Sequence, residues 1–254
     1  MSTLSELRET VARLERLTPR PRKPALAFGV PDIDRHLQGG LPRGALHEIA
    51  GAGGETEFAG APTLFIAGLA ARLKGSVLWV LQRRDLFAPS LSCVGLHPDR
   101  VIYAEAFRPE VVLQTMEEGL RCSGLAAVVG ELNGKLGLTA SRRLHLAAET
   151  SGVTAFILRR SQRHDDPVFS EPAAAVTRWR IGVLPSPPPF ADAPDVPGLG
   201  PRLWQLDLIR CRNGEGGRWI VQAWDIKARM CAWQREEADS ASATSARSRA
   251  GDGR

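Results

Sequence analysis

Chemistry on nucleotide phosphates needs a Gly-rich loop whose backbone N–H groups wrap the anion. It also needs a Lys that reaches the outer phosphates and a Ser or Thr that holds magnesium. One stretch of this chain has the loop without the rest. It runs Gly51-Ala52-Gly53-Gly54-Glu55-Thr56-Glu57-Phe58-Ala59-Gly60-Ala61-Pro62-Thr63 between an apolar strand and an apolar helix, the setting of a phosphate-binding loop. Gly51, Gly53, Gly54 and Gly60 supply the backbone freedom. No Gly-Lys-Ser/Thr follows, and the nearest Lys is Lys74, at the far end of the next helix. Glu55 and Glu57 stand where an anion would lie and repel it. The strand that should end in a magnesium-orienting Asp reads Ala127-Val128-Val129-Gly130-Glu131, with Gly130 in that place. Side-chain alternation is expected to turn Glu131 away from the site. The residues therefore predict a degenerate nucleotide loop with no catalytic group, no cofactor and no metal.

Other chemistries lack their residue sets. Cys93, Cys122, Cys211 and Cys231 are far apart, and His36, His47, His97, His145 and His164 are scattered, so neither zinc-ligand spacing nor a nucleophile–base pair is present. Two patterns suggest contact with macromolecules instead. The first is basic: Arg159, Arg160, Arg163 and His164, then Arg178 and Arg180 flanking Trp179. Arg neutralises phosphate and an adjacent aromatic stacks on a base, which makes this set a candidate single-stranded DNA contact. The competing expectation is a core Trp179 with the arginines paired to Asp165, Asp166 and Glu171. The second is apolar: Leu4, Leu7, Val11, Leu14 and Leu17 fall on one stripe at helical period, a candidate partner helix that docks on another chain or on its own sheet.

The elements that must position these residues alternate along the chain. Short continuous apolar strands are expected at 45–49, 77–81, 101–105, 126–129 and 153–158. Helices are expected from Pro62 to about Lys74, from Pro109 to about 122–124, and from a cap at Thr139 to Ser151, with a helix-like segment at 84–93. Such strands between helices mean a mostly parallel central sheet covered by helices. Strands at 179–184, 203–211 and 218–224, the last two joined by Arg212-Asn213-Gly214-Glu215-Gly216-Gly217, predict a C-terminal antiparallel hairpin. The expected organisation is an N-terminal amphipathic helix over 1–18, a basic Pro-rich linker over 19–25, one α/β core over 26–234 with a Pro-rich loop at 185–201, and a disordered tail over 235–254.

The chain has 254 residues, 43% of them hydrophobic and 24% charged, enough for one large folded domain. The formal net charge is +5, and Lys appears only at positions 23, 74, 135 and 227, so the basic side is almost all Arg. That balance permits nucleic-acid contact through counterion release. No secretory apolar segment and no run long enough to span a bilayer occurs, so a cytoplasmic protein with reduced thiols is expected.

The run from Phe28 to Ile49 contains Gly29, Asp32, Asp34, Leu37-Gln38-Gly39-Gly40-Leu41-Pro42-Arg43-Gly44 and Ala45-Leu46-His47-Glu48-Ile49. It resembles the segment that leads into the nucleotide-loop strand of RecA-like proteins, and the order of elements fits that core out to about Asp225. With the wording Gly39-Gly40-Leu41-Pro42-Arg43-Gly44-Ala45-Leu46-His47-Glu48-Ile49, the ruined loop and the late Pro-rich stretch, the chain is similar to the ImuA family. That resemblance implies a role in SOS mutagenesis and translesion DNA synthesis. The implied protein is a non-catalytic accessory that bridges an ImuB-like inactive polymerase, an error-prone replicative-type polymerase, and RecA or single-stranded DNA, and gathers on the nucleoid after damage. In RecA the groups matching Arg83, Arg84 or Asp85 and Arg159 or Arg160 are a catalytic Glu and a sensor Gln. Both are replaced here. A SulA-like inhibitor of the division GTPase is the alternative.

Overall fold

The computed structural model of the protein describes residues 24–53, 60–160, 171–190, 192–212 and 214–233. The predicted N-terminal helix with Leu4, Leu7, Val11, Leu14 and Leu17, most of the linker, Gly54, Glu55, Glu57, Arg163, His164 and the predicted tail lie outside the described residues.

A two-residue strand β1 (Ala25–Leu26) pairs antiparallel with β2 (Leu41–Pro42), and the short helix α1 (Pro31–His36) lies between them. The Asp34 carboxylate accepts the backbone N–H of Phe28 at 2.6 Å and of Gly29 at 2.9 Å, which folds this segment onto itself. Gly40 has φ +117, and a Cβ there would lie 2.4 Å from the Leu26 carbonyl oxygen. Only glycine fits that close approach.

The main sheet contains β3 (Leu46–Gly51), β4 (Ser76–Leu81), β5 (Val101–Glu105), β6 (Leu125–Asn133), β7 (Thr154–Arg160), β8 (Thr177–Leu184), β9 (Leu203–Cys211), β10 (Gly217–Gln222) and β11 (Cys231–Ala232). Their order is β11-β10-β9-β8-β3-β7-β6-β4-β5. From β8 to β5 every pair is parallel, and from β8 to β11 every pair is antiparallel. The mixed α/β architecture expected from the sequence is present.

Helix α2 (Gly60–Ala71) follows the nucleotide-loop stretch, while α3 (Pro109–Leu120) and α4 (Leu138–Ser151) follow β5 and β6. Two buried clusters lie on opposite sides of the sheet. Ile49, Trp79, Val129, Phe156, Trp179 and Ile181 pack with Phe65, Ile66 and Leu69 of α2. Leu46, Val80, Val128, Ala155 and Ile157 pack with Val112, Met116 and Leu120 of α3 and Leu144 and Ala148 of α4. Strand alternation divides the apolar residues this way.

Three local expectations change. Helix α2 already includes Gly60, ahead of Pro62, and is apolar on every side because its outer surface is covered too. Trp224 lies across Gly68, where a Cβ would sit 2.1 Å from the indole, and its Nε1–H donates to the Phe65 carbonyl at 3.0 Å. β10 ends at Gln222, short of the Trp224 expected in it. The expected helix at 84–93 is a 3-10 segment, Ala88–Val94, ended by Gly95 in the left-handed region. Finally, α4 starts at Leu138 after Gly137 with no side-chain cap, so Thr139 lies inside the helix.

Candidate functional site

In this topology the nucleotide loop would leave the end of β3 and enter α2. The described part, Gly51 to Gly53 and the first turn Gly60-Ala61-Pro62-Thr63, carries no cationic side chain. The end of β6 determines what else the site can hold. Gly130 faces α3, where a Cβ would lie 2.1 Å from the Met116 sulfur. Glu131 therefore points to the α2 side together with Trp79, and the expected outward turn of Glu131 is corrected: the residue beside Gly130, not Gly130 itself, looks into the site.

Glu131 is fully buried, and each of its oxygens has a donor. Trp79 Nε1–H donates to Oε1 at 2.9 Å. Arg160, from the end of β7, donates to Oε2 from Nη2 at 2.7 Å and from Nε at 3.2 Å. The same guanidinium reaches Asp85, with Nη2 2.8 Å from Oδ1. Burial pushes the Glu131 carboxyl above the usual carboxylate range, against the pull of Arg160 and the Trp79 hydrogen bond. A guanidinium thus stands against the carboxylate where a nucleotide enzyme of this topology would orient a metal. Among the described residues no group of three or more His, Cys, Asp or Glu could hold a metal ion.

A second buried network lies on the opposite face. Glu48, in the middle of β3, has Arg159 Nη1 2.6 Å from Oε1 and Arg178 Nε 2.8 Å from Oε2. Arg159 also donates to the Gly134 carbonyl, and Arg178 Nη2 donates to the Glu171 carbonyl at 2.6 Å. The Arg side chains are 7% exposed and Glu48 is 0% exposed, so one buried carboxylate stands between two guanidiniums whose further donors go to backbone carbonyls.

These placements revise the candidate DNA contact. Arg159, Arg160 and Arg178, three of the candidate phosphate contacts, point inward and lie against Glu48, Glu131 and Asp85. A guanidinium sequestered in an ion pair does not neutralise a nucleic-acid backbone. Trp179 is buried in the core, as the competing expectation had it, and among the described residues the arginines meet Glu48, Glu131 and Asp85, while Asp165 and Asp166 lie outside the described residues. Arg180 is half-buried, opposite Asp207 in the β8–β9 register.

Sequence reasoning missed Glu48 and His47. The available signal was a charged residue inside an otherwise apolar strand, which is rarely buried without a partner. His47 is fully enclosed. Its Nε2 lies 2.8 Å from the Pro42 carbonyl and its Nδ1 2.8 Å from Thr177 Oγ1. A carbonyl only accepts, so Nε2 carries the proton and Nδ1 accepts from the Thr177 hydroxyl. That hydroxyl in turn accepts from Trp179 Nε1–H at 2.9 Å. Burial lowers the imidazole pKa to about 4, so His47 is a neutral structural link between β3, β8 and β2.

The chain is 41% identical over 213 residues to the protein named ImuA in two strains of Caulobacter vibrioides, which covers 80% of this chain and 85% of the relative. The crystal structure of the RadB recombinase superposes with a TM-score of 0.58 at 16% identity, covering 82% of this chain and all of that one. This likeness shows a RecA-like fold. No family model matches the chain.

Proposed function

The chain belongs to the ImuA family, and on that premise we propose that it is a non-catalytic accessory protein of SOS mutagenesis and translesion DNA synthesis. The observation that carries the non-catalytic part is Arg160. Its guanidinium, 2.7 Å from Glu131, occupies the carboxylate that a metal-dependent site would need. Phosphoryl transfer depends on a Lys, a metal and positioned carboxylates for charge stabilisation. The first turn of α2 offers none of the cationic groups.

In this role the protein bridges an ImuB-like inactive polymerase and an error-prone replicative-type polymerase, with RecA or single-stranded DNA as further contacts, and gathers at damaged DNA in the cytoplasm. Its RecA-like core supplies the scaffold while the loop chemistry has been lost. Among the described residues no helix is long and apolar enough to cross a membrane, which is compatible with work on DNA.

Two measurements on the full-length protein test the proposal. Phosphate release with ATP, magnesium and single-stranded DNA is expected to stay at the no-protein background. Deletion of the gene is expected to abolish ultraviolet-induced mutation, and the wild-type gene to restore it. ATP turnover that disappears in Glu131→Gln would overturn the non-catalytic assignment. Unchanged induced mutation in the deletion strain would overturn the mutagenesis role.

A further inference from the structure

The outer face of α3 and α4 carries a groove of about 540 Å³ lined by Glu117, Arg121, Arg143, Leu146, Ala147 and Thr150, among others. Leu146 stands in it 59% exposed, and Leu138, two turns away on the same ridge of α4, is 39% exposed. Residues four apart form such a ridge, so Leu138, Arg142, Leu146 and Thr150 make one continuous line. The second core packs against the other side of these helices, so among the described residues this line has no cover.

We propose that residues 3–17 of the same chain dock in this groove as an amphipathic helix. Three observations point to this occupant.

The first is where the described chain begins. The Pro24 carbonyl accepts the Arg43 N–H at 2.9 Å. An ideal Cβ on the adjoining Gly44 would lie 3.1 Å from the Gly152 Cα, directly after the last residue of α4. The N-terminal segment therefore joins the fold beside the end of the groove marked by Thr150 and Ser151. Six residues, 18–23, span at most about 20 Å when extended, which suffices to turn into it.

The second is length. A 15-residue helix is about 22 Å long, and α4, with 14 residues, is about 21 Å. Entering at the Ser151 end, residues 17 to 3 run back along α4 towards Leu138. Leu14 and Val11 then come abreast of Leu146.

The third is pattern. Leu4, Leu7, Val11, Leu14 and Leu17 form one stripe, and at helical period Glu15 and Arg8 flank it on one side and Glu6 and Arg13 on the other. The groove rim carries Arg121 and Arg143, 59% and 62% exposed, which pair with Glu117 and, for Arg121, with Glu118 as well. The apolar stripe meets the exposed leucines, and flanks of mixed charge meet a rim of mixed charge. The stripe is then an internal contact of this chain rather than the docking element for another protein, a conclusion independent of the proposed role in mutagenesis.

The test uses the full-length protein with the exposed Cys122 and Cys231 changed to Ser. Leu146→Cys is paired with Leu14→Cys in one variant and with Glu9→Cys, on the opposite side of the predicted helix, in another. A short bismaleimide is added at low protein concentration. The Leu14 pair is expected to cross-link within the monomer at least tenfold faster than the Glu9 pair. Equal rates for the two pairs, absence of cross-linking, or a product that migrates as a dimer would each overturn the proposal. The dimer would assign the groove to a second copy.

Discussion

At the scale of single residues, buried charge decides what the chain can do. Arg160 holds Glu131 through two contacts while Trp79 takes the other oxygen. Removing one partner of a buried pair leaves the other uncompensated, at a cost of about 3–5 kcal/mol. Arg160→Ala is therefore expected to lower the urea unfolding free energy by that amount. The double variant Arg160→Met/Glu131→Leu is expected to recover only part of it, because an apolar pair needs no charge balance but leaves the buried Trp79 N–H without its acceptor. His47 gives a pH dependence of known sign. Its folded pKa is about 4, against about 6.5 in the unfolded chain. Between those values the unfolded chain binds a proton that the folded chain does not, so stability is complete above about pH 6.5 and falls as pH drops towards 4. The full effect is about 3 kcal/mol. Urea titrations at pH 7 and pH 4 should show a drop smaller by about that amount in His47→Gln than in the wild type.

At the scale of elements, facing matters more than sequence position. The β6 motif places Gly130 where a metal-orienting Asp belongs. In the folded strand Gly130 meets Met116 of α3, and Glu131 meets Trp79 and Arg160 on the α2 side. Gly130→Asp is thus expected not to create an ATPase. It forces a carboxylate into the cluster of Val112, Met116 and Leu120, where a charge lacks a partner, and should cost at least about 3 kcal/mol. Its thermal unfolding temperature should fall sharply while phosphate release stays at background. Helix α2 shows the same dependence on surroundings. The all-round apolar run Ala61 to Ala71 is visible in the sequence, but its burial on both sides depends on Trp224, more than 150 residues later. The helix-like segment at 84–93 had no comparable periodic stripe, and it forms 3-10 turns instead.

At the scale of the whole molecule, a RecA-like sheet is retained while the parts that touch nucleotide are altered. If the protein is a scaffold, its activity in damage-induced mutation should survive Glu131→Gln provided the fold does, whereas an ATPase would lose it. The order of strands and helices, the missing Lys, the absent Gly-Lys-Ser/Thr and the family likeness were all legible from residue types and spacing. Those features depend on local periodicity and on the chemistry a loop requires, and both are written linearly along the chain. The destinations of Arg159, Arg160 and Arg178 were not legible. An arginine looks the same in sequence whether it meets a phosphate in solvent or a glutamate 29 or 111 residues away inside the core. Only the parallel register that sets β3 beside β7 and β8, and β6 beside β7, brings Glu48 and Glu131 within reach of those guanidiniums. Pairing across a sheet is a long-range property: once burial has removed water, each charge must take whatever opposite charge the topology places next to it.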